Sequence, residues 1–222
     1  MLVKRNLTFK KIFPLIVILL VVLAIPSCII VKEKAPPPKT EQKIEMSKLR
    51  AEATQLLSND VIITPDSEIV TFKPKDWFFI DISDLKNNVS NGEIVAIAVN
   101  KDYTMAFIVS KVIQSLAMTK LLEDEDMADV ARLHFQQKKE SATEQLFMAS
   151  DYELIPYGLK EIPLYSFTSL GNTQKVRVAL LKTTTKKLYE LALVPLEISS
   201  ATPFTEKESL LLFQTILATT LF

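Results

Sequence analysis

Few residues in this chain could do acid–base or nucleophilic work, because 222 residues contain one histidine and one cysteine. His134 falls in a helical stretch, one turn from Val130 and Lys138, with Glu125 and Asp129 on approachable turns. A metal ligand needs companions, and the residue is expected to be a partly exposed helical histidine. Hydrolysis by a Ser-His-acid arrangement would have to use it as base, yet no GxSxG elbow supplies the serine. Glu123-Asp124-Glu125-Asp126 could hold a hard cation through oxygen. It lacks the spaced D-x-D-x-D-G pattern, and charge at a helix start accounts for it equally well. Asp76, Asp81 and Asp84 could pair as acid and base, but they flank a strand and a turn, where Asp is common. No catalytic residue, metal site or cofactor is therefore expected. The three glycines form no GxGxxG or GxxxxGK[ST] loop, so nucleotide binding by those routes is not expected either.

Aromatic residues offer a different chemistry, that of contact. Trp77, Phe79, Tyr152, Tyr157, Tyr165 and Phe167 are the candidates for a binding surface that takes a partner or an apolar ligand. Strand alternation sends Phe78 to the face opposite Trp77 and Phe79, so one aromatic face is expected in the core.

The cysteine takes its meaning from its neighbours. No charge occurs between Lys11 and Lys32, but Pro14 and Pro26 leave only the 11 apolar residues Leu15–Ile25 uninterrupted. As a helix these rise about 17 Å, short of the roughly 30 Å of hydrocarbon that a span must cross. Basic Lys4, Arg5, Lys10 and Lys11, then a short apolar core and a small residue, make the layout of an export signal. Ile25-Pro26-Ser27-Cys28 resembles the lipobox of bacterial lipoproteins, in which the cysteine is lipidated and becomes residue one after cleavage. Ile25 and Pro26 depart from the usual Leu and Ala or Ser. The alternative is an inner-membrane anchor through an uncleaved 12–31. A disulfide within the chain and a cysteine-based metal site are excluded by the absence of a second thiol. Ile29 stands where Asp would imply inner-membrane retention, so the expectation is a lipid anchor on the periplasmic face of the outer membrane.

The implied organisation is a signal peptide over 1–27, a lipidated cysteine and Pro/Lys/Glu tether over 28–43, and a single α/β domain over 44–222. Four of the 26 basic residues precede Cys28, leaving 22 against 26 acidic ones. Such a mildly acidic chain repels nucleic acid, which is not expected as a partner. The expected partners are the membrane, through the lipid on Cys28, and a protein of the envelope. In the tether, Pro36-Pro37-Pro38 favours an extended form, and 15 such residues reach roughly 45 Å.

Within the domain a helix is expected over Ile44–Ser58, then strands at Glu68–Phe72 and Trp77–Ile82 around the turn Lys73-Pro74-Lys75-Asp76. Glu93–Val99 is apolar on both alternating faces, which suits a strand covered on both sides. Asn100-Lys101-Asp102 turns it into Tyr103–Val112. A helix follows over Met118–Lys139, and a shorter one starting near Glu123 would use its charges best. Strands at Tyr152–Ile155, Leu164–Thr168, Val176–Lys182 and Leu188–Val194 form a meander. Thr205-Glu206-Lys207-Glu208 is a capping box that opens a final helix bearing Leu210, Leu211, Phe213, Ile216, Leu217 and Leu221.

This pattern gives an α+β sandwich, a mostly antiparallel sheet flanked by helices. The order of elements resembles the Mog1/PsbP fold and its DcrB-like bacterial lipoprotein relatives over roughly 67–222. The residues that carry the resemblance are Pro74-Lys75-Asp76-Trp77, the hairpin at Asn100-Lys101-Asp102-Tyr103, and Leu188-Tyr189-Glu190 before a helix ending near Phe222. It implies an accessory or binding role without shared catalytic residues. The resulting expectation is a non-enzymatic envelope lipoprotein serving a protein complex. The alternatives are an extracytoplasmic binding protein for a small apolar ligand, and an uncharacterised hydrolase.

Overall fold

The computed structural model describes residue 53 and residues 55–82, 92–157, 160–170, 174–198 and 200–222, all within the compact unit Ile44–Phe222. The export signal, Cys28, the tether, most of the expected helix over 44–58, Asp84 and the side chain of Tyr157 lie outside the described residues.

Nine strands are described: β1 (Leu57–Ile63), β2 (Val70–Pro74), β3 (Trp77–Phe79), β4 (Gly92–Asn100), β5 (Met105–Val112), β6 (Leu146–Tyr157), β7 (Lys160–Ser169), β8 (Val176–Lys182) and β9 (Leu188–Pro195). With them come helices α1 (Leu116–Glu123), α2 (Met127–Ser141) and α3 (Glu206–Thr219). Seven strands form one sheet in the order β3-β4-β5-β9-β8-β7-β6, and β1 and β2 form a separate pair. Every named pairing is antiparallel, so the fold is an α+β sandwich.

Alternation along the central strands divides the core in two. On one face Phe107, Val109, Leu181, Leu191 and Leu193 pack with Phe213, Ile216 and Leu217 of α3 and Ile69. On the other, Val178, Leu180 and Ala192 pack with Met118 and Leu122 of α1 and Val130, Ala131 and Phe135 of α2. Burying each such side chain stabilises the fold by roughly 1.5–3 kcal/mol. The strands covered on both faces are β8 and β9, where nearly every residue is buried. Glu93–Val99 was expected in that role, yet Ile94, Val95, Ala96 and Ile97 are only half-buried, because β4 lies one strand from the sheet edge.

Side chains set the ends of the elements. Asn100, buried in the β4–β5 turn, accepts from the N–H groups of Thr104 and Met105, both at 2.9 Å, and donates to the Thr104 hydroxyl at 2.9 Å. This lets Tyr103 occupy the left-handed region at φ 54°. The single helix expected over Met118–Lys139 is two helices. Asp126 caps α2 by accepting from the Asp129 N–H at 3.0 Å, and Glu125 turns the chain at φ 61°. A side chain that caps one helix start cannot also continue the helix before it. Leu57 and Ser58 open β1 instead of closing a helix, with Leu57 paired to Pro74. β6 begins at Leu146, six residues ahead of its expected start at Tyr152.

The capping box of α3 is formed: the Thr205 hydroxyl accepts from Glu208 N–H at 3.2 Å, and Glu208 accepts from Thr205 N–H at 2.8 Å. Its buried face is Leu212, Phe213, Ile216 and Leu217, whereas Leu221 is exposed beyond the helix and bridges to Val70 through main-chain bonds of 2.8 and 2.9 Å. No helix among the described residues is long and apolar enough to cross a membrane.

Phe213 is 2% exposed at the centre of this contact. Phe213→Ala should cost about 3–5 kcal/mol of the roughly 5–15 kcal/mol that holds a domain folded. Lys207→Ala, on the exposed first turn, should barely move the midpoint. Denaturant titrations that place both variants together would show α3 to be peripheral.

Candidate functional site

His134 is 2% exposed, contrary to the expected partly exposed position, because α2 lies with this face against the sheet. Its Nε2 is 3.1 Å from Oε2 of Glu190 on β9, and its Nδ1 is 2.8 Å from the Tyr165 hydroxyl on β7. A carboxylate only accepts, so Nε2 carries the proton and the Tyr165 O–H can donate to Nδ1. Lys138, one turn further along α2, reaches both Glu190 oxygens at 2.9 and 2.8 Å. Burial alone would raise the Glu190 carboxyl, but Lys138 and His134 outweigh it and hold it at about 2. The Tyr165 hydroxyl is pushed well up, by burial first and by the Glu190 charge second.

The four groups form a closed polar network inside an apolar layer. Phe135 packs edge-on to Tyr165 with centroids 5.7 Å apart, and Phe167 stacks on Tyr165 at 6.3 Å. A hydroxyl kept protonated and a carboxylate held by the Lys138 ammonium and the His134 N–H are poor nucleophiles and bases. The arrangement orients α2 on the sheet; it does not present a reacting atom to solvent. Glu190 left one trace in the sequence, a lone charge in the otherwise apolar run Leu188–Val194. Its neutralisation by the facing helix had no local signal.

A second cluster clasps the far end of the sheet. Asp66 accepts from Thr64 at 2.6 Å, Tyr189 at 2.8 Å and Lys187 at 3.1 Å. Glu68 accepts from the Thr184 hydroxyl at 2.8 Å and from the N–H and hydroxyl of Thr185, the former at 3.1 Å. Burial would raise the Asp66 carboxyl, but its hydrogen bonds to Thr64, Tyr189 and Lys187 bring it far below the usual range. Those of Thr185 and Thr184 hold Glu68 at about 2. Every donor comes from the chain itself, so the clasp ties the 64–68 turn to the β8–β9 hairpin.

The acidic tetrapeptide, expected at a helix start, is divided: Glu123 and Asp124 end α1, Glu125 pairs with Lys182 at 3.2 Å, and only Asp126 caps the start of α2. Among the described residues no group of three or more His, Cys, Asp or Glu could hold a metal.

The aromatic candidates are not gathered in one place. Trp77 is buried edge-on to Phe204 at 6.2 Å, while Phe79 is 47% exposed with Lys73 over its ring at 5.2 Å. Both lie on β3, at one edge of the sheet. Tyr152 and Phe167 lie on β6 and β7 at the other edge. Tyr152 carries Arg132 4.9 Å over its ring and accepts from it at 3.1 Å. Tyr165 is buried in the network.

The described residues also form open concavities. A cleft of about 740 Å³ lies among the start of α2, Leu154, Glu161, Phe222 and the β8–β9 hairpin, with charges of both signs on its walls. A groove of about 720 Å³ runs between α1 and α2 over Ala117, Leu121 and Leu133. Ile113, 64% exposed, and Leu116, 92% exposed, precede Ala117 in the chain and are not among the groove's lining residues. Sequence periodicity could not find this groove, because it depends on the break between the helices.

No protein-family model matches the chain, and no curated protein matches it. Among solved structures it is similar to cyanobacterial PsbP (CyanoP) from Synechocystis sp. PCC 6803. That solution structure has a TM-score of 0.47 and 13% sequence identity, covering 73% of this chain and 92% of that one.

His134→Ala should orphan the Tyr165 hydroxyl and remove one partner of Glu190, lowering stability by about 2–4 kcal/mol. The Glu190 value in the folded chain lies below its ordinary 4.5, so its contribution is full above about 4.5 and is lost as pH falls toward about 2. The difference in stability between wild type and Glu190→Gln should shrink through that window. A difference constant with pH would show that the network does not hold the Glu190 charge.

Proposed function

We propose that this chain is a lipoprotein of a bacterial envelope, lipidated on Cys28, whose domain serves a protein complex as a non-enzymatic binding or accessory module. The membrane is one partner, through the lipid, and an envelope protein is the other. The observation that carries the reading is how the reactive side chains are used. The one histidine is sealed beneath α2 with Glu190, Lys138 and Tyr165, while the α1–α2 groove is open over apolar Ala117, Leu121 and Leu133. An open groove with apolar side chains along it suits contact with another macromolecule better than catalysis. The mildly acidic balance beyond Cys28 disfavours nucleic acid as that partner.

The extracytoplasmic location rests on the export layout of residues 4–28. The outer membrane is favoured over the inner by Ile29 after the cysteine. A small apolar ligand has less support, because the cleft walls carry Glu125, Glu161, Lys182 and Lys186.

Cys28→Ser should leave an unprocessed precursor that takes up no labelled fatty acid. Equal labelling of the variant would end the lipoprotein reading. Crosslinking in native membranes should join the wild-type chain to protein, and a chain that crosslinks to none would end the accessory-module reading.

A further inference from the structure

We infer that the cleft beside the β8–β9 hairpin binds an extended peptide segment of another protein, main chain against main chain. The inference rests on the accessory-module reading and gives that module a site. Its ground is the place where the β7–β8 ladder stops. The register runs from Phe167↔Val176 to Leu164↔Ala179 and no further, although β7 begins at Lys160 and β8 continues to Lys182.

Prolines fix which way the main chain points there. In an antiparallel pair, opposed residues alternate between those that exchange both N–H···O bonds and those that exchange none. Proline has no N–H to exchange, so Pro156↔Glu161 and Leu154↔Pro163 in the β6–β7 ladder are of the second kind. The N–H and C=O of Glu161 therefore point away from β6, toward β8. Tyr165 shares that direction, and its partner Val178 faces it from β8, as Leu180 and Lys182 do by alternation. Thr183 turns the other way, since its N–H donates to the Lys187 carbonyl at 2.9 Å. Opposite Leu180 the ladder needs a donor from Pro163, which has none, and there it ends. Continuing the register sets Glu161 opposite Lys182. Both line the cleft, and their main-chain groups face each other across it unpaired by any described strand.

An extended peptide is the ligand that such a gap suits. It carries donors and acceptors along both edges, so one segment can pair with Glu161 on one side and Lys182 on the other. The cleft, at about 740 Å³, lies within the ~300–1,000 Å³ of sites that enclose a small ligand, which is room for a few residues. Met127 and Leu154 give the segment's side chains an apolar wall. Lys182 is already paired with Glu125 and Asp126 is spent on the cap of α2, so neither selects the ligand's charge. Glu161 and Lys186 are exposed in the cleft and pair with no side chain among the described residues. A segment bearing one basic and one acidic side chain complements them, whereas a simple anion would gain Lys186 and meet Glu161.

The probe is the labelled peptide acetyl-Lys-Val-Leu-Val-Glu-amide, titrated against the full-length chain in detergent up to about 1 mM and followed by fluorescence anisotropy. Binding should saturate. The same peptide N-methylated at both Val residues keeps its side chains but loses main-chain donors, and should bind at least tenfold more weakly. Hydrogen exchange read by mass spectrometry should slow around 161 and 182 when peptide is added. Glu161→Lys, at an exposed position, should weaken binding at least tenfold with unchanged circular dichroism, and replacing the peptide's Lys by Glu should restore it. Absence of saturable binding, equal binding of the N-methylated peptide, or protection confined to other segments would overturn the inference. Labelling at Cys28 and crosslinking of the wild-type chain in native membranes are read independently of this peptide, so the two readings fail separately.

Discussion

The structure depends on how one charge is accommodated where the chain is most thoroughly buried. β8 and β9 are covered on both faces, and Glu190 of β9 points into the helical layer. An isolated carboxylate there would be expensive to desolvate. It is tolerated because α2 brings His134 and Lys138 from successive turns onto its two oxygens, while β7 supplies the Tyr165 hydroxyl to the other side of the imidazole. Apolar packing alone would accept several placements of a helix over a sheet. A buried carboxylate that must meet two particular donors narrows them, which is the form in which a buried polar network contributes to specificity.

The opposite face uses polar contacts in another way. Its core along α3 is apolar apart from buried Ser209 and Thr215, whose hydroxyls donate to carbonyls of the same helix, and the charges stand at the ends. Arg177 reaches the start of α3 through Glu206 at 2.7 Å, and the buried hydroxyls of Thr71 and Thr220 meet at 2.8 Å beyond its end. Asp66 and Glu68 tie the 64–68 turn to the β8–β9 hairpin on the same side. The C-terminal helix is thus fixed at both ends by groups on distant strands. The β1–β2 pair, which is too small to be stable alone, is held by that helix and by the hairpin.

These two arrangements bear directly on function. Among the described residues His134, Glu190, Tyr165 and Asp66 are engaged in holding layers together.

The sequence by itself determined the elements whose signals are local. The capping box at Thr205 and Glu208, the alternation of Val176–Lys182, the turn at Asn100-Lys101-Asp102 and the α+β class rest on neighbours within a few residues, and each is found in the structure. The export layout around Cys28 is likewise a matter of neighbouring residue types. Only the tertiary structure decided the burial of His134, the division of the long helix at Glu125, and the separation of Trp77 and Phe79 from Tyr152 and Phe167. Each of these turns on which strand or helix stands opposite. Glu190 is 56 positions from His134, a distance over which periodicity carries no information. The strand order β3-β4-β5-β9-β8-β7-β6 sends the two aromatic groups to opposite edges, although a linear reading sets them side by side as one surface. Local propensity fixes which segments become strands and helices, and long-range packing fixes which of their side chains meet.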